Sequence, residues 1–154
     1  MLYARTIYLA SDHAGFQHKE AVLDWLVLEG LQVIDVGAMT FDADDDFPDF
    51  IQIAAKAVSN NPASTCAVIF GGSGQGEAMS ANRYKGVRAT VYYGYNEEII
   101  SLSREHNDAN VLSIGARHVS LDDTKKVIWQ WLHTEASSDP KYHRRNLKID
   151  AKFI

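Results

Sequence analysis

The sequence predicts a doubly wound α/β domain, in which a five-stranded parallel sheet carries helices on both faces. The first observation behind this prediction is that short apolar runs, rich in β-branched residues, alternate with longer segments of helical periodicity. The second is that polar segments containing glycine directly follow three of these runs. Such alternation is typical of parallel strands joined by right-handed crossovers, a Rossmann-like arrangement. Ligands then bind beyond the carboxyl ends of the strands.

Each element has its own signal along the chain. Strands are predicted at residues 6–10, 31–36, 66–70, 87–93 and 111–114, and helices at 16–29, 48–59, 77–83, 95–104 and 121–133. The first helix has Val22 and Leu26 at helical spacing and Gly30 as its stop. The last has Ile128 and Trp131 on one apolar face. We expect one domain over residues 1–136, followed by a basic C-terminal segment, residues 137–154, which is predicted to be helical.

Composition excludes several classes of protein. The chain has 154 residues, of which 20 are acidic and 15 basic, and this balance argues against nucleic acid as a partner. No apolar run approaches the roughly 20 residues that span a bilayer, and the N-terminal residues lack the apolar core of a signal peptide. The single cysteine, Cys66, allows no internal disulfide and fits a reducing compartment. We therefore expect a cytoplasmic protein that binds neither membranes nor nucleic acid.

The most informative motif is Gly-Gly-Ser-Gly-Gln-Gly-Glu at residues 71–77. It lies between a predicted strand and a predicted helix, where a glycine-rich turn exposes backbone N–H groups to an anion. A carboxylate beside a fully charged phosphate would be repelled, whereas one beside an anion that it creates by removing a proton is chemically reasonable. The motif therefore favours an oxyanion cradle with Glu77 as its base. A purely structural role for Glu77, stabilising the first turn of the helix, is the alternative.

Two histidines are further candidates for chemistry. Asp12 and His13 follow the first strand, where Asp12 could cap a helix or both side chains could bind sugar hydroxyls. His106 lies near the end of a predicted helix, where a histidine is often only electrostatically favoured. It could equally donate a proton near neutral pH.

A metal site and a nucleotide-binding loop both find little support in the sequence. There is no HExxH motif and no pair of cysteines, and the acidic run over residues 42–49 lacks the glycine and the final glutamate of an EF-hand, so it is interpreted as a solvated loop. Residues 71–77 match neither the Walker A motif nor the dinucleotide fingerprint. We expect neither a metal nor a cofactor.

The C-terminal segment carries a stripe of positive charge. Lys141, Arg145, Lys148 and Lys152 recur at helical spacing. The stripe is interpreted either as a solvated helix face or as an anion site that a protruding segment presents to a neighbouring subunit.

Several motifs occur in a fixed order along the chain: Ser11-Asp12-His13-Ala14-Gly15, residues 71–83, Gly86-Val87-Arg88-Ala89, Arg104 with His106-Asn107-Asp108, and Gly115-Ala116-Arg117. From residue 7 to about residue 149, the chain in this respect resembles the ribose-5-phosphate isomerase B family, which includes galactose-6-phosphate isomerase subunits. One branch of that family has a catalytic cysteine at the first position of the glycine loop, and the other has a glutamate at its end. With Gly71 and Glu77 at these positions, the sequence is similar to the glutamate branch.

The resemblance implies a cofactor-free aldose–ketose isomerase of the pentose phosphate pathway, acting on ribose 5-phosphate and ribulose 5-phosphate. Glu77 would move a proton between C1 and C2, and His106 would open the sugar ring. The other implied roles are substrate contacts: the backbone of the loop formed by Gly72, Ser73, Gly74, Gln75 and Gly76 for the enediolate, Asp12, His13 and Asn107 for hydroxyls, and Arg117, Lys141 and Arg145 for the phosphate. The phosphate-binding residues are expected from the partner subunit of a homodimer, or of a tetramer, with shared active sites.

Two departures from the family pattern leave other functions open. Phe47 stands where the family often has tyrosine, and Lys141 where its C-terminal signature has arginine. A six-carbon phosphosugar such as allose or galactose 6-phosphate is therefore an alternative substrate. A nucleotide-binding regulatory module on the same scaffold, or a phosphosugar sensor without catalysis, is the alternative from another class.

Overall fold

The computed structural model describes residue 4 and residues 6–151 of the chain. The described strands are β1 (Thr6–Ser11), β2 (Val33–Asp35), β3 (Thr65–Gly71), β4 (Ala89–Tyr92) and β5 (Val111–Gly115). The described helices are α1 (Phe16–Leu28), α2 (Phe47–Asn60), α3 (Gln75–Ala81), α4 (Glu98–Asn107), α5 (Leu121–His133) and α6 (Pro140–Asp150). Lys152, the last member of the predicted basic stripe, lies outside the described residues. The doubly wound α/β prediction is confirmed.

The strands form one parallel sheet in the order β2-β1-β3-β5-β4. From β1 the chain crosses over to β2 on one side, and from β3 it crosses over to β4 on the other side. The carboxyl ends of β1 and β3 therefore border the crevice where the direction of winding reverses. This crevice is where α/β sheets of this kind bind their ligands.

The sheet separates two apolar cores. Alternate residues of the central strands point to opposite faces, so that Leu9 and Val68 pack with α1 and α5, whereas Ala10 and Ile69 pack with α2 and α3. All four of these strand residues are fully buried. With both faces covered, the central strands can be apolar throughout, as in β3, which is buried at every position.

Local backbone conformation shifts two helices away from their predicted bounds. Gly74 adopts a left-handed conformation (φ 78°), which lets α3 begin at Gln75, two residues earlier than predicted. Tyr95 is also left-handed (φ 75°) and, with Gly94 (φ 107°), it delays the start of α4 to Glu98. The helix ends at Asn107 instead of residue 104 as predicted, and left-handed Asp108 (φ 44°) follows it.

The C-terminal segment is a helix, as predicted, and α6 packs against α4 of its own chain. The amide of Asn146 donates to the carbonyl oxygen of His106 at 3.3 Å. The Arg88 guanidinium lies 2.9 Å from both Asp108 and Asp150 and so ties the end of α4 to the end of α6. None of the described helices combines the length and the apolar character needed to cross a bilayer.

A buried ion pair fixes α1 to the sheet. Lys19 in α1 is fully buried, and its ammonium group lies 2.5 Å from Asp35 at the end of β2 and 2.6 Å from Glu20. Asp35 also accepts a hydrogen bond from the backbone N–H of Gly37 at 2.9 Å. Asp35 is largely shielded from solvent, with a side chain 16% exposed, whereas that of Glu20 is 46% exposed.

Removing the charge of Asp35 should destabilise the fold more than removing that of Glu20. The substitution Asp35→Asn keeps the shape but leaves a buried cation poorly compensated, and we expect a loss of about 3 kcal/mol in the free energy of unfolding. The matched control Glu20→Gln removes an exposed partner, and we expect a loss of about 0–1 kcal/mol. Urea unfolding of both variants measures the difference, and equal losses would contradict a special role for Asp35.

Candidate active site

Three polar segments meet at the carboxyl edge of the sheet. Asp12 and His13 follow β1, residues 72–76 follow β3, and Arg117 follows β5. The strand register places the ends of these strands side by side, with Ser11 opposite Phe70 and Gly71 opposite Gly115. The first two segments flank the crevice described above, and the third borders the glycine loop on its other side.

The glycine loop presents unused backbone amides. Its turn is held by the hydroxyl of Ser113, which donates to the carbonyl oxygen of Gly74 at 2.6 Å. Among the described residues, none accepts a hydrogen bond from the backbone N–H of Gly72, Ser73, Gly74 or Gly76. Four neighbouring donors are therefore available to an oxyanion, which is the arrangement that preorganised charge stabilisation requires.

Glu77 lies next to this loop, in the first turn of α3, and is only 4% exposed. Its carboxyl group occupies the space where a side chain at residue 71 would begin, because a Cβ built on Gly71 would collide with it. Burial raises the pKa of Glu77, and the nearby charge of Asp12 raises it further, while the backbone N–H of Glu77 itself acts in the opposite direction. The carboxylate is thereby a stronger base than an exposed glutamate.

Asp12 is held by the turn that precedes α1, and His13 by the loop that precedes α2. The Asp12 carboxylate is 7% exposed and accepts from the backbone N–H of Gly15 at 3.1 Å. His13 Nδ1 lies 2.7 Å from Asp45 Oδ1, which also accepts from the His13 backbone N–H at 3.0 Å. The hydrogen bond to Asp45 raises the pKa of His13 most, the charges of Asp12 and Asp45 add to it, and burial and Arg117 oppose it. The carboxylate of Asp45 therefore stabilises the protonated form of His13 relative to an isolated histidine.

Asp45 is a site residue that the sequence interpretation missed. The acidic run was assigned to a solvated loop, and for Asp45 this assignment is wrong, because its side chain is only 7% exposed and it binds His13. The position of the acidic run in the sequence could have indicated this role. The run follows β2, and the carboxyl end of β2 lies at the same edge of the sheet as the glycine loop. Phe41, from the same loop, places its ring edge-to-face with His13 at 6.5 Å between centroids.

Asp12, His13 and Asp45 could together hold a metal ion. Among the described residues they form a group whose ligand atoms all lie within 4.8 Å of one another. His13 Nδ1, Asp45 Oδ1 and Asp12 Oδ1 already take part in hydrogen bonds, whereas Asp45 Oδ2 is buried without a hydrogen-bond partner among the described residues. The sequence prediction of no metal remains a prediction.

Arg117 lies beside the glycine loop of its own chain. A Cβ built on Gly72 would be 3.3 Å from Arg117 Nη1, so the guanidinium group rests against the loop backbone. The backbone N–H of Arg117 donates to the carbonyl oxygen of Gly72 at 3.1 Å. This differs from the expectation that Arg117 reaches the site from a partner subunit.

His106 and Asn107 lie at the opposite edge of the sheet. They end α4, just before β5 begins, and the Asn107 carbonyl accepts from Arg88, which precedes β4. The five residues of β5 span about 16 Å between the two edges, at roughly 3.3 Å per residue. A single chain therefore does not bring His106 or Asn107 to Glu77.

The other two predicted site residues, on α6, lie close to His106. The imidazole of His106 stacks on the ring of Tyr142, with centroids 4.2 Å apart and planes 15° from parallel. Lys141 Nζ lies 4.7 Å and Arg145 Cζ 5.9 Å from the centroid of the same ring. Lys141 also pairs with Asp139 at 2.9 Å. We call this cluster, His106, Asn107, Lys141, Tyr142 and Arg145, the amino-edge cluster.

The fold and the carboxyl-edge site define an α/β protein with a buried carboxylate base beside an oxyanion cradle, a combination suited to proton abstraction. The profile of the family described as Ribose/Galactose Isomerase matches residues 7–149. The chain belongs to this family.

Both sequence and structure comparisons identify proteins of the same name as similar to this chain. Ribose-5-phosphate isomerase B of Mycolicibacterium paratuberculosis is 37% identical over 147 residues, covering 96% of this chain and 90% of that protein. Its namesake in Escherichia coli is 34% identical over 129 residues, covering 83% of each. The crystal structure of ribose-5-phosphate isomerase B from Mycoplasma genitalium with bound ribulose-5-phosphate has a TM-score of 0.91 at 32% identity, covering 96% of this chain and 95% of that one.

The charge of His13 should depend on Asp45. In the variant Asp45→Asn the imidazolium loses its anionic hydrogen-bond partner, so we expect the pKa of His13 to fall, as measured by NMR titration of its ring protons. A raised histidine pKa stabilises the fold below the ordinary histidine pKa of about 6.5 and ceases to do so as the pH rises through the raised value.

Asp45→Asn should accordingly lower the melting temperature more in weakly acidic buffer than in alkaline buffer. Asp44→Asn, in the neighbouring exposed position, is the control and should leave His13 unchanged. A His13 titration that is the same in wild type and Asp45→Asn would exclude the pairing.

Proposed function

We propose that the chain is a cofactor-free aldose–ketose isomerase that interconverts ribose 5-phosphate and ribulose 5-phosphate through a cis-enediolate. The observation that carries this proposal is the buried carboxylate of Glu77 beside four backbone amides without acceptors. Family membership, and the ribulose-5-phosphate bound to the Mycoplasma genitalium relative, support this substrate class.

Glu77 transfers the proton in the proposed mechanism. It removes a proton from C2 of the open-chain aldose and returns it to C1, while the hydroxyl proton passes from O2 to O1, so that the step balances without a hydride acceptor. Burial moves the pKa of the Glu77 carboxyl group up, toward neutral pH. A base whose pKa lies near the working pH both accepts and releases a proton readily. The negative charge that develops on the substrate oxygen lies against the amides of residues 72–76.

The remaining residues of the carboxyl edge orient the sugar. Asp12 offers a carboxylate oxygen to hydroxyl groups. His13, whose pKa is raised by its hydrogen bond to Asp45, offers a ring nitrogen to the sugar hydroxyl groups. Arg117, resting on Gly72, adds a second cation at the rim of the loop. Arg117, His13 and Asp12 thus offer both donors and acceptors around the Glu77 carboxylate.

The proposed site is completed by the amino-edge cluster of a second copy of the chain. His106 protonates the ring oxygen to open the furanose, Asn107 binds a hydroxyl, and Lys141 and Arg145 bind the phosphate. Because these groups lie about 16 Å from the carboxyl edge of their own chain, they reach a Glu77 only across an interface. In a twofold-symmetric homodimer the same contact occurs twice, which gives two shared sites.

The competing functions are weaker for specific reasons. A nucleotide-binding module does not need a buried base, and the family to which the chain belongs is one of sugar isomerases. A six-carbon substrate is disfavoured because the similar proteins are named ribose-5-phosphate isomerase B. Assays of the purified chain with ribose, allose and galactose phosphates test the substrate. The highest kcat/KM with a six-carbon sugar would replace the five-carbon proposal.

Replacing the base should nearly abolish turnover. For Glu77→Gln we expect kcat to fall about 10²- to 10⁴-fold, the usual contribution of a positioned general base. Solvent deuterium exchange into the ketose at C1 should fall with it, because both need enediolate formation. Retention of more than a tenth of the wild-type rate would remove Glu77 from this role.

The same variant contains its own control for folding. A raised carboxyl pKa costs stability where the group is ionised, so at neutral pH Glu77→Gln should melt at a higher temperature than wild type. The difference should shrink as the pH falls through the raised pKa and vanish below the ordinary pKa of glutamate. A lost activity together with an unchanged or raised melting temperature separates the chemical defect from unfolding.

Mixing two inactive variants tests whether the site is shared. In a heterodimer of Glu77→Gln and His106→Asn, one site carries both defects and the other carries neither. Random reassociation should therefore restore about a quarter of the wild-type activity, since about half of the dimers are mixed and each has one intact site. Each variant refolded alone serves as the control. If the mixture regains no activity although it forms heterodimers, base and acid do not come from different chains.

A further inference from the structure

The ring of Tyr142 is the centre of the amino-edge cluster. One face of the ring lies parallel to the His106 imidazole, with 4.2 Å between centroids. Two cations lie near the ring as well: Lys141 Nζ at 4.7 Å and Arg145 Cζ at 5.9 Å from its centroid. Both distances are within the range of cation–π attraction. The aromatic ring thus contacts each charged or titratable member of the cluster.

The stack is what fixes the plane of the imidazole. Within the part of the chain that the structure describes, His106 is hydrogen-bonded through its backbone carbonyl to Asn146, and its ring nitrogens have no protein partner. A stacked neighbour restrains the ring plane while leaving both nitrogens, which lie at the ring edge, open to a ligand. This is the condition under which a histidine can exchange a proton with a substrate.

The position of Tyr142 does not itself depend on this stack. The helix α6 is fixed to α4 by the Asn146 hydrogen bond and by the bridge from Arg88 to Asp150. Asn146 is buried, whereas Tyr142 is half-buried. The removal of the Tyr142 ring should therefore leave α6 in place and release the side chains that the ring orders.

We propose, on the basis of the function proposed above, that Tyr142 is a positioning residue that holds the ring-opening imidazole and the phosphate-binding cations at a fixed spacing. Stacking sets the orientation of His106, and the cation–π contacts draw Lys141 and Arg145 toward the same ring. In the furanose form of the substrate only a short chain separates the ring oxygen from the phosphate, so the imidazole and the cations have to be held near one another to act on both. Because Tyr142 contacts both groups, its main effect is on the ring-opening step.

Three variants of the full chain test this role. Tyr142→Leu removes the aromatic ring, Tyr142→Phe retains it without the hydroxyl, and His143→Ala changes the neighbouring exposed position as a control. The readout is the ratio of two rates with ribulose 5-phosphate in deuterated buffer. One rate is solvent exchange at C1, which needs only enediolate formation, and the other is the formation of cyclic aldose, which also needs the ring step.

The inference predicts that Tyr142→Leu raises the ratio of exchange to isomerisation about three- to tenfold, in line with the loss of one aromatic stack. Tyr142→Phe should restore most of the loss, and His143→Ala should match wild type. A purely structural defect would slow both rates together and leave the ratio unchanged. An unchanged ratio in Tyr142→Leu, with an active wild type, would overturn the inference.

A second measurement does not depend on turnover. The ring protons of His106, assigned by their absence from the spectrum of His106→Gln, should be shifted upfield by the Tyr142 ring current in the free protein. Tyr142→Leu should remove this shift, and Tyr142→Phe should keep it. The absence of any upfield shift in wild type would show that His106 does not stack on Tyr142 in solution, and this would overturn the inference. A normal shift in a wild type that isomerises no sugar phosphate would instead overturn the proposed function, and the catalytic role of Tyr142 with it.

Discussion

The place of the Glu77 carboxylate, the proposed base, depends on the absence of a side chain at residue 71. The Glu77 carboxyl group fills the volume that a Cβ on Gly71 would occupy, and this same contact buries the group and raises its pKa. In the family branch that the sequence does not resemble, a cysteine stands at this position. The two kinds of base therefore compete for one volume, and a chain can use either of them but not both. Glu77 can occupy the position of the proposed base only because residue 71 is glycine, so Gly71 is not a neutral substitution for the cysteine.

The parallel sheet imposes the second constraint. Every strand ends at the same edge, which concentrates Glu77, the loop amides, Asp12 and His13 there. Every helix that leads back to a strand ends at the other edge, and this is where α4 delivers His106 and Asn107. No local rearrangement moves a side chain about 16 Å from one edge to the other. A site that needs groups from both edges has to be assembled from two chains, and α6, docked on the end of α4, extends the second half-site rather than the first.

The sequence predicted the features that depend on local pattern. The strand–helix alternation determined the fold class, and α5 has the bounds that its periodicity indicated. The features that it missed depend on contacts between distant residues. Asp45 is functional because it meets His13, 32 positions away, and nothing in an acidic run distinguishes the one buried member. The start of α4 was missed because a left-handed Tyr95 is not visible in periodicity. The edge at which Arg117 lies was predictable, because every strand of a parallel sheet ends at the same edge and Arg117 follows β5.

Electrostatics favours the proposed arrangement, in which the phosphate is bound far from the base. A dianion next to Glu77 would stabilise the protonated carboxyl group, adding to the effects of burial and of Asp12, and would leave too little carboxylate to remove a proton. The transient negative charge of an enediolate has the opposite effect, because it forms only once the proton has been transferred. The cradle amides can therefore serve the developing charge, provided that the permanent charge is held elsewhere. In the proposed site the cations around Tyr142 supply that second place, and the length of the sugar chain separates the two charges.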